Sequence, residues 1–83
     1  MEQLARSPRQ LGNFIQRYRK AKGLTQTELA DLAGTRQEMV SKIEGGAPGS
    51  RIATIYNLLA ALDLEMTLTP RTRSSSGDIE EIF

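Results

Sequence analysis

Five side chains within seven residues, Arg36, Gln37, Glu38, Ser41 and Lys42, carry the hydrogen-bonding groups that pair with nucleic-acid base edges and phosphates. A glutamine amide sets an acceptor beside donors, the complement of the adenine edge in a major groove. Arginine and lysine suit guanine or phosphate. Catalytic chemistry is poorly supplied. Histidine and cysteine are both absent, which removes disulfides, zinc fingers, thiol nucleophiles and histidine general bases. Most of the carboxylates fall at expected helix caps or in the terminal tails, so neither an enzyme nor a cofactor is expected.

The stretch that must position these groups is GLTQTELADLAGTRQEMVSKIEGG, residues 23–46. Thr25 and Glu28 read as a capping box opening one helix, and Gly34 as its left-handed end. Thr35 and Glu38 read as a second box opening the next helix, which runs to Gly45-Gly46. Two short capped helices around a glycine turn are the sequence signature of a helix-turn-helix. Leu29, Ala30, Ala33, Val40 and Ile43 supply their inward faces, with the two alanines allowing close approach.

Upstream, Ser7-Pro8-Arg9-Gln10 is a helix start: serine cap, proline at the first helical position, glutamine three residues past the cap. Leu11, Phe14, Ile15 and Tyr18 then recur at helical spacing, and Gly23 ends that helix. Gly12 within it costs about 1 kcal/mol relative to alanine, for which close packing is one explanation. Downstream, Ser50 reads as the cap of a fourth helix with Ile52, Ile55, Leu59 and Leu62 inward. Leu58 and Tyr56 lie partly off that stripe and face either the core or a second subunit.

Residues 64–69, LEMTLT, switch to strict alternation, with Leu64, Met66 and Leu68 on one face, and Pro70 stops the run. A lone strand leaves an unpaired edge. Pairing with the same strand of a second copy across a two-fold axis satisfies it; an extended linker laid on the core is the alternative. The expected organisation is an N-terminal arm (1–7), a helical domain (8–63), a dimerisation strand (64–70) and a disordered tail (71–83). In the tail, Ile79, Ile82 and Phe83 stand among acids as a candidate docking motif.

The chain has 83 residues and a net charge of +1, which conceals an asymmetry. Residues 1–24 carry Arg6, Arg9, Arg17, Arg19, Lys20 and Lys22 against Glu2, whereas residues 25–50 and 51–83 are each net acidic. Basic density therefore lies beside the helix pair, where a phosphate backbone would pass. A helical core of roughly 60 residues buries a modest share of its unfolded surface, so a partner chain is a source of further stability. No secretory leader or spanning segment is visible, and a soluble cytoplasmic protein with no membrane association is expected.

Residues 8–62 resemble the small helix-turn-helix family of phage repressors and bacterial xenobiotic-response regulators. The resemblance rests on Gln26, Glu28-Leu29-Ala30, Gly34 and the S-K-I-E-G-G run from Ser41 to Gly46. It implies an all-α, lambda-repressor-like domain of four to five short helices, followed here by one C-terminal β-strand that pairs across a dimer. The ending from Ala61 to Arg71 is similar to that of HipB-type antitoxins. Such proteins repress their own operon from an inverted-repeat operator on double-stranded DNA, as homodimers, and bind a kinase toxin of the HipA type. Helix-turn-helix regulators encoded without a toxin, and protein-binding adaptors on the same fold, are the alternatives.

At matching positions the resemblance implies phosphate contact for Gln26, with Thr25, Thr27, Arg17 and Arg51 as further phosphate candidates. Arg36, Gln37, Glu38, Ser41 and Lys42 form the base-reading set. Glu38 departs from the glutamine common there in phage repressors, and its box with Thr35 offers a structural alternative. Arg19 and Glu44 match the family's partly buried ion pair.

Overall fold

Ser7 stands in an extended conformation and accepts a hydrogen bond from the Gln10 backbone N–H at 3.1 Å, so the chain enters helix α1, Pro8–Ala21, where the sequence signals it. The computed structural model describes residues 4–71. Three more helices follow: α2 Gln26–Ala33, α3 Gln37–Glu44 and α4 Ile52–Ala61. The described residues are thus all-α.

Each helix stops in the same way. A residue in the left-handed region follows the last turn, and the next backbone N–H reaches back to the last turn's carbonyls. Gly23, Gly34 and Gly46 supply that conformation for α1, α2 and α3, and Asp63, at φ 60°, supplies it for α4. At Gly34 the closure decides the motif. The Thr35 N–H donates to the Ala30 carbonyl at 2.9 Å, which folds the chain back so that α3 crosses α2 after three residues.

That bond corrects the expected cap of α3. Thr35 completes the end of α2, and the N-cap of α3 is Arg36, which makes no side-chain capping bond. The Thr35–Glu38 box does not form. Thr25–Glu28 does: Thr25 Oγ1 accepts from the Glu28 N–H at 3.0 Å, and Glu28 Oε1 accepts from the Thr25 N–H at 2.8 Å. Ser50 likewise does not cap α4. Its hydroxyl donates to the Ala47 carbonyl within the loop, and Arg51 is the N-cap.

The core is Ile15, Leu29, Ala30, Val40, Ile43, Leu58, Leu59 and Leu62, with Leu11, Tyr18, Leu24, Ala33, Ile55, Ala61 and Leu64 packed around it. Helix α4 lies one step round from expectation. Leu58 is fully buried while Ile52 is exposed, because Ile55, Leu58, Leu59 and Leu62 complete the i, i+3, i+4, i+7 stripe without it. Tyr56 is exposed. Helix α1 approaches α3 at Gly12, where an added Cβ would stand 2.2 Å from the Ile43 carbonyl oxygen and 2.8 Å from that of Glu44. Close packing is therefore the reason for the glycine.

Residues 64–71 carry no helix and no ladder among the described residues. Leu64 is half-buried against the core, Met66 is 39% exposed and Leu68 90% exposed, so the alternating face is covered at its beginning alone. The tail residues Ile79, Ile82 and Phe83 lie outside the described residues.

Candidate nucleic-acid interface

Val40, Ile43 and Glu44 turn inward from α3, which leaves the opposite face to Gln37, Glu38, Ser41 and Lys42, all exposed. Arg36 is exposed at the N-cap directly before them. The structure therefore brings all five base-reading candidates together on the outward, N-terminal part of one helix. None of the exposed large hydrophobic side chains among the described residues lies on α3. Glu38, released from a capping role, sits in the first turn, where its charge suits the positive end of the helix dipole.

Gln26 and Gln37 occupy the first positions of α2 and α3, and their side chains meet: Gln37 Nε2 donates to Gln26 Oε1 at 2.6 Å. Gln26 Nε2 in turn donates to Glu44 Oε1 at 3.1 Å. Glu44 is buried and paired with buried Arg19, whose Nε donates to Oε2 at 2.6 Å and whose Nη2 donates to Oε1 at 3.1 Å. Arg19 Nη1 also donates to the Leu24 carbonyl at 2.7 Å, clamping the α1–α2 loop. One hydrogen-bonded chain thus runs from the interior to the exposed face of α3. The spacing between Gln26 and Gln37 gives no sign of this contact in the sequence; Gln26 follows a cap legible there, Thr25, whereas Gln37 follows Arg36, which carries no capping side chain.

The phosphate candidates are dispersed. Thr25 is engaged in its capping box, and the Gln26 side chain is bonded at both ends. What remains at the start of α2 is the backbone N–H groups of Gln26 and Thr27, which lie in the first turn beyond the reach of intrahelical acceptors and favour an anion. Arg51 is exposed at the start of α4. Arg17 is two residues from Arg19, about 200° round α1, and its guanidinium lies over the Phe14 ring at 5.9 Å. It is not brought together with the α2–α3 set. Arg9 is closer to α3: its Cα stands 2.9 Å from where a Cβ on Gly46 would lie.

Residues 15–68 match the family model described as helix-turn-helix. The antitoxin HipB of Escherichia coli K12 is 33% identical over 75 residues, which span 90% of this chain and 85% of that protein. The chain belongs to the helix-turn-helix family, among the HipB antitoxins. Solved structures agree. The HipB–O4 20mer complex superposes with a TM-score of 0.76 at 35% identity, covering 82% of this chain and 96% of that one. The HipA–HipB–O2–O3 complex gives the same TM-score, identity and coverage. An uncharacterised helix-turn-helix transcriptional regulator of Haemophilus influenzae is 33% identical over 52 residues, 63% of this chain. No helix among the described residues is long and apolar enough to cross a membrane.

Proposed function

We propose that this HipB-type antitoxin is a dimeric, sequence-specific DNA-binding repressor of its own toxin–antitoxin operon, with no enzymatic activity of its own. The observation that carries the reading is the outward row Arg36, Gln37, Glu38, Ser41 and Lys42 at the N-terminal end of α3. Each subunit lays α3 in a major groove, and the two reach half-sites about one helical turn apart. Gln37 reads adenine, Arg36 and Lys42 take guanine or phosphate, and the open N-terminus of α2 holds the backbone. Arg51 and Thr27 act as peripheral phosphate contacts, whereas Thr25 stays in its capping box and Arg17 lies away from the α2–α3 set. Repression follows from occupying the promoter.

Leu64, Met66 and Leu68 join two copies through an antiparallel strand pair. The second partner is a kinase toxin of the HipA type, consistent with the solved HipA–HipB–O2–O3 complex; residues Ile79, Ile82 and Phe83 serve it as a docking segment. The protein works in the cytoplasm, beside its operon.

The test is selection of preferred duplexes from a randomised pool by the full chain and by Gln37→Ala. The variant loses preference at one position per half-site, a change of about 1–3 kcal/mol there, while neighbouring positions keep theirs. Unchanged preference in Gln37→Ala would remove α3 as the reader.

A further inference from the structure

We infer that Glu44, which is buried and meets no base, is a specificity-determining positioning residue, because its charge fixes which edge the Gln37 amide presents to DNA. The inference rests on the reading of Gln37 as the base contact. It begins from the one group in the hydrogen-bonded chain that has no choice. An ionised carboxylate only accepts, and a guanidinium only donates. Arg19 supplies donors to both Glu44 oxygens, so the carboxylate stays an acceptor toward Gln26 as well.

Gln26 must therefore turn its Nε2 inward to Glu44, which leaves its Oε1 outward. Facing that oxygen, Gln37 must turn its own Nε2 toward Gln26, where the bond is 2.6 Å. One Gln37 N–H is used in this way. The other N–H and the Oε1 remain for DNA, one donor beside one acceptor, which matches adenine N7 and N6. Two amides that would otherwise be free to reverse are set in sequence by a charge behind them.

Glu44→Gln removes that constraint. Glu44 Oε2 accepts from Arg19 Nε, whereas Oε1 accepts from both Arg19 Nη2 and Gln26 Nε2, so either placement of the new amide nitrogen faces an Arg19 donor. Gln26 then meets either a carbonyl or an N–H, and its own amide is no longer held in one orientation. Where it accepts inward it donates outward, Gln37 accepts from it, and the Gln37 Nε2 presents two donors to DNA, the complement of guanine O6 and N7. A remote, buried substitution is thus expected to weaken the adenine preference of an unaltered Gln37.

The experiment selects from a randomised duplex pool with the full chain, Glu44→Gln and Gln26→Met, and reads the adenine-to-guanine ratio at the Gln37-dependent position, with folding followed by circular dichroism. The wild-type ratio is expected at roughly 5- to 150-fold, the range of one bidentate contact. Glu44→Gln lowers it toward unity, because the Gln26 and Gln37 amides are no longer set by a charge. Gln26→Met leaves the ion pair intact but cuts the relay, so Gln37 presents either edge and the ratio falls toward unity without inverting. This second variant decides the matter if Glu44→Gln fails to fold. A wild-type ratio in a folded Glu44→Gln protein, or in Gln26→Met, overturns the relay. A ratio unaffected by Gln37→Ala is a separate result, which overturns the reading of Gln37 and not the orientation argument.

Discussion

Replacing Gly12 by alanine sets two opposing effects against each other. Alanine gains about 1 kcal/mol of helix propensity over glycine in the middle of α1. Its Cβ, however, would lie 2.2 Å from the Ile43 carbonyl oxygen, where a close carbon–oxygen approach is about 3.3 Å. Both Ile43 and Glu44 oppose it with backbone, which has no rotamer to yield, so α1 must withdraw from α3 by about 1 Å. Overpacking of this kind costs typically about 1–3 kcal/mol. Arg19 lies two turns along the same face, and displacing it stretches a buried pair whose outright loss costs about 3–5 kcal/mol. The steric and ionic losses exceed the propensity gain by about 2 kcal/mol or more, a fall in Tm of about 8–16 °C for a domain of this size. Thermal denaturation followed by far-ultraviolet circular dichroism measures it, with Asn13→Ala, an exposed neighbour on the same helix, reporting propensity alone. A Gly12→Ala protein as stable as Asn13→Ala would refute the claim that α1 and α3 meet backbone to backbone.

Asp63→Gly should raise Tm by about 2–4 °C, because glycine accepts the left-handed conformation that aspartate holds at φ 60°, and the gain of about 0.5 kcal/mol outweighs the solvent-exposed pair with Lys22; a lower Tm would give that ion pair the larger role. Met66→Pro removes a ladder donor and an apolar contact from the middle of the pairing segment. Sedimentation should then show monomer, and operator affinity should fall about 100- to 10,000-fold as the half-sites lose their linkage; a dimer that persists at micromolar concentration would move the interface to α4, where Ile52 and Tyr56 are exposed.

Local rules made α1 and α2 legible because their signals are self-contained. Ser7 with Pro8, and Thr25 with Glu28, need nothing beyond their own first turn. Thr35 shows where such reasoning ends. It has the right type and spacing for a cap, but its N–H is already committed to closing α2, and the chain needs one more residue before α3 can start. On α4, Ile52 and Leu58 compete for one stripe, and only the packed core shows that Leu58 takes it. The alternation over residues 64–69 is plain in sequence, and in the single chain these residues form no ladder.

The site divides along the same line. That Arg36, Gln37, Glu38, Ser41 and Lys42 share a face follows from helical periodicity once Val40 and Ile43 are placed inside. That Gln26 holds Gln37, and Glu44 holds Gln26, depends on side chains 11 and 18 residues apart, a relation that no local pattern encodes. Its cause lies in the packing of α1 on α3. Gly12 lets the two backbones close, and the same contact carries Glu44 to Arg19. Glu44 then meets Gln26 where α2 begins. With Gln37 as the proposed base contact, stability and recognition draw on one set of residues. A substitution on the inner face of α1 that only loosened the fold would weaken all duplexes alike, whereas one that shifted Glu44 would also alter which duplex is preferred.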